Sequence, residues 1–151
     1  MANLPQDGNF DDIPDEIEGV PILKIGFKQA IGDDSPEHVA AYRHGKIYLN
    51  AKSDHWLNPI TKMAEVAGFL SSSDPNHPIY HELGHALHER RNKALFIFAR
   101  RIKIDAEIAV QVSAYACENG QEFVAEVYAG IQTGHVYTNE VMTHYRHLGG
   151  G

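Results

Sequence analysis

Apolar residues crowd into short β-branched runs near the start of the chain, then recur at helical spacing further on. VPILKIGFKQAIG, from Val20 to Gly32, has the density of a strand and closes on the turn cluster Gly32-Asp33-Asp34-Ser35-Pro36. In HVAAYRHGKIYLNAK, Val39 and Tyr42 lie before Gly45 and Ile47, Tyr48 and Leu49 after it, the pattern of strand, tight turn, strand. Asn58-Pro59 places a capping residue before a proline, and Ile60, Met63, Val66, Phe69 and Leu70 follow at helical spacing, which predicts a helix over 59–70. SSSDPNHP reads as a loop, and Pro78 opens a second helix through IYHELGHALHERRN. Ala94 to Ile104 continues helically after a break, and Ile108 to Val112 fits either a strand or a helix. Asn119 with Glu122 three residues later is a capping-box pattern launching a helix that Gly130 or Gly134 would end. Asn139 to Leu148 forms a last short helix. Strands first and helices after predict a small α+β domain.

Before Val20 the chain is polar and broken by Pro5, Gly8, Pro14 and Gly19. Asp7, Asp11, Asp12, Asp15, Glu16 and Glu18 lie there with no Lys or Arg, so this stretch holds nearly all of the net charge of -7. The expectation is an acidic flexible arm over residues 1–19 and one domain over 20–151. The only basic cluster is Arg90, Arg91, Lys93, Arg100, Arg101 and Lys103, which on helices is a solvated face rather than the basic stripe nucleic acid requires. No apolar stretch is long enough to span a bilayer, and the first residues lack the basic and apolar regions of a signal peptide. With one cysteine, Cys117, an internal disulfide is excluded. No nucleic acid and no membrane are therefore expected, and the single cysteine allows, without requiring, a reducing compartment such as the cytoplasm. The 151 residues also carry ten histidines, a heavy load for this length.

Two of those histidines belong to HELGH, residues 81–85, an H-E-x-x-H motif. Residues four apart on a helix share a face, so His81 and His85 can hold one metal ion between their imidazoles. Glu82 lies one position round, where its carboxylate can reach a water on that metal without being a ligand. A catalytic zinc site needs a third protein ligand and an open position. The extended motif that would supply a third histidine fails, because His88 and Arg91 stand where Gly and His are needed, and the inverted H-x-x-E-H motif is absent. A carboxylate from a later helix remains. NGQEFVAEVYAG offers Glu122 and Glu126, four apart, with Glu122 as the ligand and Glu126 orienting a ligand histidine from behind.

HELGH followed by Y-A-x-x-x-x-x-E-x-x-x-E resembles the gluzincin metallopeptidases, and most closely the anthrax lethal factor-like catalytic domain. SAYACENGQEFVAEVYAG and VMTHYRHLGG are also similar to metallopeptidase domains of bacteriophage-encoded proteins, some fused to minor head proteins. The likeness covers residues 75–150 well and the acidic arm not at all. It implies a zincin-like fold and one Zn2+ per chain. It further implies a metalloendopeptidase in which Glu82 is the general base and Tyr115, seven residues before Glu122, donates its hydroxyl to the tetrahedral intermediate. In such folds a sheet edge pairs with the extended peptide or protein substrate, and the strand expected there is Lys46, Ile47, Tyr48, Leu49 and Asn50. The phage likeness implies a bacterial host cell or a virion as the setting, with a phage structural protein as a partner. Two other readings stand beside it. One is a virion-assembly or interaction protein keeping a zinc-binding zincin-like domain; the other is a toxin catalytic domain. His88 is expected to pack, His77, His135, His144 and His147 to lie on the surface or cap helices, and Cys117 not to be a ligand.

Overall fold

A computed structural model describes residues 4–24 and 26–151. It is α+β, a four-stranded mixed sheet near the N-terminus followed mainly by helices. The strands are β1 (Glu16–Ile17), β2 (Val20–Leu23), β3 (Ala40–Arg43) and β4 (Lys46–Leu49). The helices are α1 (Phe27–Ile31), α2 (Pro59–Glu65), α3 (His77–Arg91), α4 (Lys93–Ala99), α5 (Ala106–Ala109), α6 (Gly120–Gln132) and α7 (Asn139–His147). No helix among the described residues is long and apolar enough to cross a membrane.

The hairpin of β3 and β4 turns through His44 and Gly45, with φ of 50° and 79°, the pair of positive values that a two-residue type I′ turn demands. β4 alternates cleanly, with Ile47 and Leu49 buried and Lys46 exposed. Those two side chains, with Val20 and Ile22 of β2, pack on Ile79, Leu83 and Ala86 of α3. A second core gathers Phe123, Val124 and Val127 of α6 with Val141, Tyr145 and Leu148. The two cores meet where α3 crosses α6. A Cβ on Gly84 would lie 3.0 Å from the Ala125 Cα, so glycine at this point lets the helix axes approach closely.

Several expectations are corrected. The sheet order is β1-β2-β4-β3, with β4 paired to β2 on one side and β3 on the other. Lys46 to Asn50 is therefore an interior strand with its ladder occupied, and the free edge beside the helices is β3. Strand order is set by the β2–β4 crossover, which local residue patterns do not encode. Residues 4–19 are not a loose arm. Ile13 and Ile17 are buried in the first core, and Leu4 and Phe10 pack against it, while all six carboxylates remain exposed. β1 pairs with β2, and the Asn76 amide donates to the Pro5 carbonyl. The boundary at residue 19 thus divides one packed unit; Met1 to Asn3 lie outside the described residues, as does Ile25 within the first expected strand.

Residues 27–31, expected as strand, form α1 with Phe27 buried. α2 stops at Glu65, because residues 66–70 turn away to pair with the segment before α6: Ala114 and Tyr115 N–H donate to the Gly68 and Phe69 carbonyls at 3.3 and 3.0 Å. Tertiary hydrogen bonding there overrides helical spacing.

Candidate metal centre

α3 and α6 bring the chemistry together. α3 starts at His77, with Pro78 in its first turn. α6 starts where the Asn119 side chain accepts the Glu122 N–H at 3.0 Å, which places Glu122 in the first turn, facing α3. His85 Nε2 lies 2.7 Å and His81 Nε2 3.1 Å from Glu122 Oε1. These three atoms form a group able to hold a metal ion. They open onto a cleft of about 270 Å³ that Glu82, Tyr115, Gln121, Phe96 and residues 40–42 also line. Two neutral imidazole nitrogens, one carboxylate oxygen and an open side are the donor set of a catalytic zinc site.

Behind the ligand atoms lies a closed polar network. Glu126 is fully buried and accepts four hydrogen bonds. Oε2 receives His81 Nδ1 at 2.7 Å and His77 Nε2 at 2.8 Å. Oε1 receives the Ser71 N–H at 2.7 Å and the Ser113 hydroxyl at 2.9 Å. His77, His81 and Glu126 could themselves hold a metal ion. A neutral imidazole has a single lone pair for coordination, so His81 can serve one of the two groups at a time. The inner group has every Glu126 side-chain lone pair engaged by hydrogen bonds. The outer group is the better metal site.

Electrostatics follow from this geometry. Burial alone would raise the Glu122 carboxyl, but hydrogen bonds from His81 and His85 outweigh it and hold it far below the usual carboxylate range. Glu126 is treated the same way by His77 and His81. Burial disfavours charge on His81, yet its two carboxylate partners raise it well above ordinary histidine in the metal-free state. Glu82 moves the other way. Burial raises it, the Glu122 charge adds to that, and the nearby histidines only partly oppose it.

Tyr115 donates its hydroxyl to Glu122 Oε2 at 2.6 Å. Its ring stacks between His81 and Phe69, with centroids 5.3 Å away on each side. Burial and the surrounding carboxylates push its hydroxyl above the ordinary tyrosine value, so it stays a donor. The five residues expected from the motif pattern, His81, Glu82, His85, Glu122 and Tyr115, therefore share one cleft, with Glu126 directly behind His81. Ile47 and Leu49 of the expected substrate strand are buried in the core, and none of Lys46 to Asn50 lines this cleft. His88 packs as expected, its Nε2 donating to the Leu148 carbonyl at 2.6 Å. Cys117 is half-buried and free.

His77 is the residue that sequence reasoning misses. It is buried rather than a surface cap. The available signal is its spacing, four residues before His81 and eight before His85, on one helical face. The chain matches no protein-family model, no curated protein and no solved structure.

Proposed function

We propose that this chain is a zinc-dependent endopeptidase. One observation carries the reading: Glu82 and Tyr115, a base and a hydroxyl donor, line the cleft into which His81 Nε2, His85 Nε2 and Glu122 Oε1 converge. A site that only bound metal would need neither. When bound, zinc would acidify a water and polarise the scissile carbonyl. Glu82 takes a proton from the attacking water as its oxygen bonds to the carbonyl carbon. The C–N bond then breaks, and Glu82 passes that proton to the departing amine. A carboxyl raised by burial suits both halves of the task, because base and acid forms lie closer in energy near neutral pH. Tyr115 turns its O–H from Glu122 to the developing oxyanion, a contact typically worth ~10²–10³ in turnover.

The substrate strand in this reading is β3. Arg43 and Lys46 close the type I′ hairpin, so the ladder bonds fall at Arg43 and Ala41, and the Asn50 N–H reaches the Val39 carbonyl at 2.9 Å. Ala40 and Tyr42 then turn their peptide groups outward; the Tyr42 N–H faces the Glu82 carboxylate, and the groups around Ala40 are where an extended peptide can add as a further strand. Beyond Tyr115 the cleft continues past Ala40, Val39, Leu70 and Pro78 into a mainly apolar pocket lined by Met63 and Val66, with Asp54, Lys62 and Glu65 also on its wall. These adjoining spaces, about 440 and 470 Å³, suit a bulky apolar side chain beside the scissile bond. The likeness to phage proteins makes a virion structural protein the first protein substrate to try. The test is cleavage of an unbiased peptide library by zinc-loaded and chelator-treated protein. Cuts flanked by a large apolar residue, lost on chelation and restored by zinc, are expected. No cleavage by zinc-loaded protein overturns the reading.

A further inference from the structure

The sequence pattern accounts for His81, Glu82, His85, Tyr115, Glu122 and Glu126, yet it assigns nothing to the segment that closes over Glu126 from behind. That segment runs from Phe69 to His77. The Ser71 N–H donates to Glu126 Oε1, and its hydroxyl donates to the Glu126 main-chain carbonyl at 2.7 Å. Ser72 Oγ lies 2.7 Å from His77 Nδ1. His77 Nε2 lies 2.8 Å from the same Glu126 oxygen that meets His81 Nδ1. The chain of contacts is continuous from Ser72 through His77 and Glu126 to His81, and each member is buried.

The chemistry of each atom sets the direction of these bonds. With the Ser72 hydroxyl donating to Nδ1, His77 carries its proton on Nε2 and donates it to Glu126. Glu126 Oε2 is then shared by two ring donors and cannot rotate without breaking both. An oxygen fixed in that way holds the proton of His81 on Nδ1, and the lone pair of His81 faces the cleft from Nε2. Remove the His77 donor and Oε2 keeps only His81 Nδ1, while Oε1 stays held by the Ser71 N–H and the Ser113 hydroxyl; the oxygen facing His81 loses one of the two donors that fix its direction.

We infer that His77 is a positioning residue for the metal centre: pinned by Ser72, it locks the Glu126 carboxylate against His81 so that His81 presents Nε2 to the ion. It touches neither metal nor substrate. This rests on the metal-centre reading above, and the test separates the two. Zinc affinity of the full chain is measured by competition with a chelating indicator, alongside stoichiometry and circular dichroism, for wild type, His77→Leu, His77→Gln and Ser72→Ala.

Wild type should bind one zinc. His77→Leu should still bind one, with affinity lowered by about 10–100-fold, the usual cost of losing a partner behind a ligand histidine. His77→Gln, whose amide nitrogen replaces the Nε2 donor, should recover most of that loss; a ligand role for His77 would predict no rescue. Affinity of folded His77→Leu within about threefold of wild type overturns the inference, as does loss of all zinc by both His77 variants. If His77→Leu does not fold, Ser72→Ala decides: the ring remains but its anchor is gone, and unchanged zinc affinity overturns the proposal. Failure of wild type itself to bind zinc removes the metal centre, and this inference with it.

Discussion

Tyr115 illustrates how much depends on a single atom. Its hydroxyl already reaches Glu122 at 2.6 Å and its ring is clamped between two aromatic planes, so deleting the oxygen leaves the packing intact. Tyr115→Phe should fold, bind zinc within a few-fold of wild type, and lose ~10²–10³ in turnover. Steady-state kinetics beside a metal titration would check this; turnover within about threefold of wild type would make Tyr115 a packing residue only. Most of the site was legible at this scale because helices turn spacing into geometry: HELGH and the Glu122-Glu126 pair need only a 3.6-residue period to be placed on facing surfaces. His77 obeys the same period but follows a serine- and proline-rich loop. Its role appears only once Ser72 and Glu126, distant in the chain, fold around it.

Among the elements, the strand beside the cleft and the crossing of α3 with α6 decide whether those residues can work. β2, β3 and β4 were legible as short apolar runs, whereas β1 lay hidden in the acidic stretch, and the order of the strands was not legible at all. β4, the edge that the family resemblance implied, is made central by β2. Proline discriminates between the two arrangements. In β3, Ala40 points its N–H away from β4, so Ala40→Pro removes no ladder bond but removes a donor to substrate. It should lower kcat/KM for peptides by about tenfold or more, the scale of a lost hydrogen bond, with zinc affinity unchanged. Equal kcat/KM would show that substrate does not add to β3. Gly84 is the corresponding test for the helices. Gly84→Val forces a branched side chain against the Ala125 backbone 3.0 Å from the first added carbon, which should lower Tm and weaken zinc binding together. A variant with wild-type Tm and zinc affinity would mean that the crossing is not tight.

At the scale of the molecule, the polar N-terminal stretch is structural. Its composition pointed to a solvated arm because six carboxylates dominate any average, whereas folding depends on where Ile13 and Ile17 point. Ile13→Ala should cost about 2–4 kcal/mol of stability, as for other buried large-to-small changes, measured by urea unfolding; a change near zero would return this segment to solvent. Acid should also unfold the zinc-loaded protein early. Burial holds His55 and His88 below the ordinary histidine value, so the unfolded chain takes up protons below about pH 6.5 that the native state refuses. Stability therefore falls as pH drops through that value. In the metal-free protein the depressed Glu122 and Glu126 carboxyls add a further loss below about pH 4.3, the unfolded value. Tm should decline from pH 7.5 to 5.5, and a flat profile would contradict the buried neutral histidines.

Glu82→Gln asks whether one cleft joins a zinc ion to a general base. The substitution keeps the size of the side chain and removes its basicity, while leaving His81, His85 and Glu122 in place. Zinc content and peptide cleavage should be measured on the same preparations of wild type and variant. One zinc per chain is expected in both, with cleavage by wild type alone. Cleavage by Glu82→Gln at the wild-type rate, or a wild-type protein that holds no zinc, would contradict it.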